Sequence, residues 1–260
     1  MIERIAKLLN KAENAGTPHE AQIYFDKAQA LATTHSISLA RARLHVAPGT
    51  VTATPTNRTI SIGEPRRHAN RHLIRLFSVV GAVNGLTVDV AHNSTYVIAY
   101  GYADDIDATE LLWSRIATQM VRFGESYLAT ESWRRDQRVI LRNGRRTLAE
   151  MTRQTARSTY YEAFVDRIRE RLVEAHRRTV EQDSAEPTSG TSNAIALRNR
   201  DEEVAGYYRS TSSARGSWNG NRSSVRGRPG SASRAGARDA HRVALSRGAA
   251  VTGPGGQLPR

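Results

Sequence analysis

Apolar residues in the first 46 positions recur every three or four residues, the spacing that places them on one face of a helix. Between two such stretches lies Thr17-Pro18-His19-Glu20, a helix-start signal in which the Thr17 hydroxyl and the Glu20 carboxylate can each accept a bond from a free backbone N–H. The pattern predicts a helical hairpin over residues 1–46, with its second helix ending near His35. Its inward positions are Ile2, Ile5, Leu8, Leu9 and Ala12 in the first helix, and Ala21, Tyr24, Phe25, Ala28 and Leu31 in the second.

A small α+β unit is predicted after a Thr- and Pro-rich linker at residues 47–57. Alternation of apolar and polar residues indicates strands, and a three-to-four-residue apolar spacing indicates the helices between them. The last helix opens with Asp104 and carries a buried apolar stripe. In chain order the predicted elements are a strand at 58–63, a helix from Pro65 to Gly85, strands at 86–91 and 95–102, and a helix with Leu111, Leu112, Ile116, Met120, Phe123 and Leu128 inward.

Basic residues dominate the stretch after residue 130. A short strand is predicted at Val139-Ile140-Leu141, before a turn at Asn143-Gly144. Thr147-Leu148-Ala149-Glu150 is a second helix-start signal, and it predicts a long helix that runs to about Asp183. Its apolar face consists of Met151, Tyr161, Phe164, Val165, Ile168 and Leu172.

The composition changes after Ser184, where Ser, Gly, Thr, Asn and Arg become dominant. Too few apolar side chains remain to offset the entropy of ordering the backbone. Residues 184–260 therefore predict a largely disordered tail, with one short helix at 239–250. The fold class that follows is α+β and mainly helical: an N-terminal helical hairpin at 1–46, an α+β unit with a long basic C-terminal helix at 58–183, and the tail.

The chain has no cysteine, which excludes disulfides, zinc–thiolate sites and a thiol nucleophile. Its first residues are charged and amphipathic and lack the apolar stretch of a secretory signal. No apolar run approaches the roughly 20 residues that a membrane-spanning helix needs. We therefore expect a cytoplasmic protein without membrane contact.

The hairpin resembles the family called domain of unknown function 2786. The residues that carry this resemblance are Ile5 to Glu13, His19-Glu20-Ala21, Ala28 to Leu31 and His35-Ser36-Ile37. Further stretches are similar to the companion region of that family, and they are Val97 to Gly101, Asp107 to Leu112 and Ser158 to Phe164. Members occur in actinobacteria and their phages, and the ratio of 35 Arg to 3 Lys suits such a source. The resemblance implies the helical hairpin but no reaction, cofactor or catalytic residue.

Glu64, His68 and His72 form the first candidate metal site. Their spacing of four residues would align them on one face of a helix that starts at Pro65. Imidazole and carboxylate groups are suitable zinc ligands, but several arginines crowd the same stretch and would oppose a divalent cation. A solvated helix face is the simpler interpretation.

Asp104, Asp105 and Asp107 form the second candidate site, since hard cations such as Mg²⁺ prefer carboxylate ligands. Acidic residues also belong at a helix N-terminus, where they cap free N–H groups and face the positive end of the helix dipole. Both interpretations predict that these residues lie together at the start of one helix.

His19, Asp26 and His35 are the remaining polar candidates, and their places near helix ends explain them without catalysis. The chain contains no G-x-S-x-G, P-loop or G-x-G-x-x-G motif, so serine hydrolases and P-loop NTPases have no support in the sequence. We therefore expect no cofactor, no metal and no catalytic residue.

Positive charge is the clearest functional signal, because the net charge is +13. Residues 134–157 contain eight arginines against Asp136 and Glu150, and residues 204–238 contain seven arginines and no acidic residue. Such segments attract polyanions, and Tyr207, Tyr208 and Trp218 could stack on bases. The predicted nucleic-acid-binding residues are Arg134, Arg138 and Arg142, which a helix would align on one face, with Arg135, Arg145, Arg146, Arg153, Arg157, Arg222, Arg226 and Arg228.

The sequence therefore leads to a hypothesis of nonspecific DNA or RNA binding by an accessory protein, since no motif that reads base sequence occurs. One alternative is a protein-interaction module, in which the N-terminal hairpin docks an amphipathic partner and the charge serves solubility. A metal-dependent enzyme is the other. The first hypothesis requires arginines that carboxylates of the folded body do not neutralise.

Overall fold

The computed structural model of the chain describes residues 1–44, 53–142, 145–184, 190–216, 218 and 230–243. The predicted α+β class with mainly helical content is confirmed. The elements are α1 (Ile2–Glu13), α2 (Pro18–Leu44), β1 (Thr56–Ser61), α3 (Asn70–Val83), β2 (Thr87–Val90), β3 (Tyr96–Gly101), α4 (Ala103–Ala129), a 3-10 helix (Ser132–Arg135), β4 (Gln137–Arg142), β5 (Arg145–Glu150), α5 (Arg153–Ser184), α6 (Gly190–Thr211) and α7 (Ser231–His241).

The N-terminal hairpin forms around the predicted helix-start signal. The Glu20 N–H donates to Thr17 Oγ1 over 3.2 Å, while the Glu20 carboxylate accepts from the Gly16 N–H, also over 3.2 Å, rather than from Thr17. Helix α2 continues to Leu44 instead of ending near His35. The predicted linker at 47–57 lies mostly outside the described residues. The inward side chains of the hairpin share one apolar cluster with α3, α4, α5 and α7.

A three-stranded antiparallel sheet in the order β1–β3–β2 forms the second part of the body. The predicted hairpin of two strands is confirmed, since Val90 pairs with Val97 and Thr87 with Tyr100. Helices α3 and α4 pack against the sheet around a second apolar cluster that includes Ile60, Ile74, Phe77, Val97 and Ile106.

Helix α3 begins at Asn70 and not at Pro65 as predicted. Arg66 has a φ of 65°, in the left-handed region, and this backbone conformation cannot continue a right-handed helix from Pro65. The Asn70 side chain donates to the backbone oxygen of Glu64 over 2.8 Å, which fixes the preceding turn against the helix. Glu64 and His68 therefore precede the helix.

The long helix α5 begins at Arg153, and the helix-start prediction at Thr147–Glu150 is wrong. Those four residues lie in β5, where Thr147 pairs with Ile140 and Glu150 with Gln137. The predicted strand at 139–141 is confirmed as part of β4. Its backbone pairs with that of residues 146–148 in β5, so these residues are not available to begin a helix. The cap of α5 is Thr152, whose Oγ1 accepts from the Thr155 N–H over 3.2 Å.

Two stretches of the predicted disordered tail are helices that pack on the body, and the prediction is wrong for both. Helix α6 contacts α2 and the sheet, and α7 lies along α5. A Cβ at Gly236 would lie 2.2 Å from the backbone oxygen of Tyr160, so the close approach of α7 requires glycine there. The packing of α7 uses alanines, mainly Ala232, Ala235 and Ala240, which a count of large apolar side chains does not register. Most other residues of the tail lie outside the described ranges.

Candidate nucleic-acid interface

The β4–β5 hairpin stands apart from the packed body. Arg142 pairs with Arg145 at one end of the ladder, and Gln137 with Glu150 at the other. The Met151 N–H donates to the Asp136 backbone oxygen over 3.2 Å and closes the base of the hairpin. Among the described residues no helix makes an extensive contact along either strand. The side chains of β5 are exposed except for that of Ala149, which is half-buried.

Three arginines of this region keep an uncompensated charge. Arg145 and Arg146, at the outer end of β5, are exposed, as is Arg135 next to the base of the hairpin. Within the described ranges none of the three has an ion-pair partner. The region around the hairpin therefore presents guanidinium groups to the solvent.

Two further arginines of the region are held by neighbouring groups. Arg138 donates from Nε to the Glu150 backbone oxygen and from Nη1 to Thr155 Oγ1, each over 3.2 Å, so that its partners are neutral. Arg134 forms an ion pair with Glu131 over 2.8 Å. The alignment of Arg134, Arg138 and Arg142 on one helix face is wrong, because the first lies in the 3-10 helix and the others in β4. The side chain of Arg142 is not among those that the structure describes.

The hairpin also carries an apolar residue in an unusual position. Leu148 is 67% exposed, more than any other large apolar side chain in the described ranges. It pairs across the ladder with Val139, which is half-buried. An exposed leucine two residues after Arg146 gives this surface both a charged and an apolar component.

The start of α5 continues the basic surface. Arg153 and Arg157 both approach the carboxylate of Glu125, at 3.4 and 3.0 Å. Two guanidinium groups thus share one carboxylate, which leaves a net positive charge. Because Arg153 follows the end of β5 by three residues, this charge lies next to the base of the hairpin.

Beside these arginines a small polar network joins α3 to α5. Arg71 donates from Nη2 to Ser158 Oγ over 2.5 Å and from Nε to His72 Nε2 over 3.1 Å. Ser158 Oγ lies 3.3 Å from the same His72 nitrogen. Burial, reinforced by the charges of Arg71 and Arg75, lowers the pKa of His72 to about 3. His72 is therefore neutral, and its Nε2 already accepts a bond from Arg71, which makes it a poor base for activating Ser158.

The candidate metal site at Glu64, His68 and His72 does not assemble on a helix. A single carboxylate oxygen of Glu64, Oε2, accepts from Arg67 Nε over 3.1 Å and from Arg67 Nη2 over 2.7 Å. His72 belongs instead to the network with Ser158. No cluster of three or more histidine, aspartate or glutamate side chains with metal-binding geometry occurs in the part of the chain that the structure describes.

The three aspartates near the start of α4 each contact a different basic residue. Asp104 lies 3.3 Å from His35 Nε2, and Asp107 accepts from Arg58 Nη1 over 2.5 Å. Asp105 is buried and paired with Arg200 of α6. Burial raises the pKa of Asp105 to about 6, although the charge of Arg200 acts in the opposite direction. These carboxylates connect α4 to other elements of the fold.

The polar candidates of the first hairpin are not brought together. His19 is exposed, and His35 contacts Asp104. Asp26 accepts from Gln22 Nε2 over 2.7 Å and lies 3.6 Å from Arg171 Nη2. Among the described side chains no hydrogen bond or ion pair links these three residues into a catalytic pair.

The aromatic residues of the predicted tail serve packing. The ring of Tyr208 meets Tyr100 edge to face, and its hydroxyl donates to Asp89 Oδ1 over 2.7 Å. The Tyr207 hydroxyl accepts from Asn57 Nδ2 over 2.9 Å. The two tyrosines thus attach α6 to the sheet, while Trp218 is 38% exposed. Arg222, Arg226 and Arg228 lie outside the described residues.

The buried ion pair and the docking of α6 were not anticipated from the sequence. A signal was available, because Ala196, Arg200, Val204 and Tyr208 recur every four residues, and the first three are buried. An arginine at the centre of such a stripe indicates a buried partner carboxylate, which sequence spacing alone does not identify.

Within the described ranges none of the helices combines the length and the apolar character needed to cross a membrane. The model of DUF2786, a protein family of unknown function, matches residues 1–39 of the chain. No curated protein and no solved structure matches the chain. The resemblance of the N-terminal hairpin to DUF2786 is thereby confirmed over those residues, which comprise α1 and most of α2.

Proposed function

We propose that the β4–β5 hairpin, together with Arg135 and the first two turns of α5, binds nucleic acid without reading its sequence. The observation that carries this proposal is that Arg135, Arg145 and Arg146 are exposed and without ion-pair partners in the described part of the chain. When such groups neutralise phosphates they release condensed counterions, and this release drives association.

The shape of the hairpin also suits a nucleic-acid groove. A two-stranded ribbon is narrow enough to enter the major groove of B-DNA. An exposed apolar side chain such as Leu148 can contact bases without selecting one of them. No side-chain pattern typical of base-specific readers occurs here, so the expected binding depends on charge and shape.

A salt titration of the full-length chain tests the proposal. Binding to a labelled DNA duplex, a single strand and an RNA of equal length is followed by fluorescence anisotropy between low and moderate salt. Each phosphate neutralised on duplex DNA adds about −0.9 to the slope of log K against log salt. The double variant Arg145→Gln/Arg146→Gln is therefore expected to reduce the slope by about 2 and to weaken binding to all three ligands.

A control variant of equal charge change separates a local effect from net charge. Arg177 and Arg178 are exposed on α5 but form ion pairs with Glu174 and Glu181. Arg177→Gln/Arg178→Gln is expected to leave the slope nearly unchanged. Equal losses in the two double variants, or no binding by the unaltered protein at low salt, would contradict the proposal.

The alternative of a protein-interaction module at the N-terminal hairpin has less support. The apolar residues that such a partner would need, including Ile5, Leu9 and Phe25, are buried against the rest of the body. Ile23 is an exception, at 38% exposed. One exposed isoleucine is ordinary for a protein surface and specifies no partner.

A further inference from the structure

A cavity of about 290 Å³ lies between the start of α3 and the first turns of α5. The polar side chains that line it are Arg71, Arg153, Arg157, Ser158, His68 and Gln154, and the buried ring of His72 lies among them. Among the residues that the structure describes, no carboxylate lines this cavity. A recess lined by guanidinium, hydroxyl and amide groups favours a small oxyanion.

The charge around the cavity is unbalanced. Three arginines contribute three positive charges, and Glu125, outside the lining, contributes one negative charge through its contacts with Arg153 and Arg157. The balance is 3 − 1, or about two positive charges. His72 adds none because it is neutral at physiological pH. Arg75, the other nearby cation, is paired with Asp166 over 2.5 Å.

Hydroxyl and guanidinium groups of the lining supply hydrogen-bond donors. Ser158 Oγ accepts from Arg71, so its own proton can be donated to a ligand or to His72. The arginines of the lining carry several N–H donors each, and a charged oxyanion accepts from such groups more strongly than a neutral ligand does.

We propose that this cavity binds the terminal phosphate of a nucleic-acid strand. A phosphomonoester carries nearly two negative charges at neutral pH and has three oxygens that accept hydrogen bonds, which match the excess charge and the donors of the cavity. Its single ester link lets it enter a recess from one side, whereas a backbone phosphodiester has chain on both sides and one charge. The inference rests on the proposed function, since the hairpin next to Arg153 would hold the rest of the strand.

The test compares two single-stranded oligonucleotides that are identical except for a 5′-phosphate or a 5′-hydroxyl. With the full-length protein at fixed salt, the phosphorylated strand is expected to bind about tenfold more tightly, the gain of roughly one charged hydrogen bond. Arg71→Met is expected to remove this preference while leaving the affinity for the 5′-hydroxyl strand unchanged. Arg153→Gln, on the exposed rim, should reduce the preference and gives a second variant with little effect on folding. Arg145→Gln/Arg146→Gln should weaken both strands equally and keep the preference.

Two measurements separate the two proposals: the comparison of the two strands, and a calorimetric titration with inorganic phosphate. Equal affinity of the wild-type protein for both strands would overturn the end-binding proposal and leave the hairpin proposal standing. Binding of inorganic phosphate that Arg71→Met abolishes, without binding of either strand, would refute both nucleic-acid proposals and identify a site for free phosphate. A preference for the phosphorylated strand that survives in both Arg71→Met and Arg153→Gln would also overturn the assignment to this cavity.

Discussion

Asp105 and Arg200 form an ion pair in which the side chains are only 7% and 5% exposed, although 95 residues separate them in the chain. Arg200 also donates to the backbone oxygen and the hydroxyl of Ser36, so that one guanidinium joins α6 to both α4 and α2. The pair fixes α6 on a body to which the sequence alone gives it no evident connection.

Removal of the cation is expected to be strongly destabilising. Arg200→Met leaves the carboxylate of Asp105 buried without a partner, which typically costs about 3–5 kcal/mol of unfolding free energy. Urea denaturation at pH 8, where Asp105 of the wild type is ionised, measures this loss. The cost should shrink at pH 5, because Asp105, whose pKa is about 6 even beside Arg200, is then largely protonated in both proteins and carries no buried charge. Arg177→Met, which breaks exposed pairs, is the control, and a loss of similar size there would argue against the special role of burial.

His72 is expected to make stability depend on pH. Its pKa is about 3 in the folded chain and 6.5 when unfolded, so the unfolded chain binds more protons between these values. The contribution of His72 to the free energy of unfolding is therefore fully present above pH 6.5 and is lost as the pH falls toward 3. From pH 7.5 to 5.0 the contribution of His72 should decline by about 2 kcal/mol. Urea denaturation of wild type and His72→Gln at both pH values checks this, and parallel pH profiles would contradict it.

The contact between α7 and α5 is expected to fail when Gly236 gains a side chain. The new Cβ of Gly236→Ala would overlap the Tyr160 backbone oxygen, and the overpacking should cost about 1–3 kcal/mol or detach α7. Gly206→Ala in α6 is the matched control, since its Cβ meets nothing closer than 4.0 Å and alanine favours a helix. Thermal unfolding and limited proteolysis near residue 230 report the difference. Equal stability of the two variants would disprove the close approach.

The start of α5 can be located by removing one hydroxyl at a time. Thr152→Ala removes the oxygen that caps the Thr155 N–H and should cost about 1 kcal/mol of unfolding free energy. Thr147→Ala should cost less than half of that, because Thr147 lies within β5 and caps no helix. The opposite order in urea denaturation would favour the helix start that the sequence indicates at Thr147.

Local signals predicted much of the fold. The cap at Thr17, the turn between β2 and β3 and the apolar stripes of α4 and α5 act over a few residues, and the structure has them where the pattern places them. The start of α5 was missed because two local signals compete there. Thr147-x-x-Glu150 is a valid cap, but pairing with the strand at 139–141 satisfies more backbone groups at once.

The arrangement of the candidate interface was less predictable. Sequence identified the cluster of arginines at 134–157 and noted that a helix would align three of them on one face. Charge spacing alone does not distinguish a helix from a hairpin, so the actual arrangement of these side chains could not be predicted. The Arg71–His72–Ser158 network joins residues 86 and 87 positions apart, and no local pattern encodes such a contact. Helix α7 escaped notice because its packing uses alanine and glycine, whose small side chains contribute little to hydrophobic periodicity.

The docking of α7 has a consequence for the β4–β5 hairpin. Asp136, next to the base of the hairpin, accepts at Oδ2 from the Ser231 N–H over 2.6 Å and from its hydroxyl over 2.7 Å. One carboxylate thus connects the beginning of α7 to the residue that precedes β4. Movement of α7 away from α5 would therefore break these two bonds, so that the position of a C-terminal helix and the position of the hairpin base are coupled.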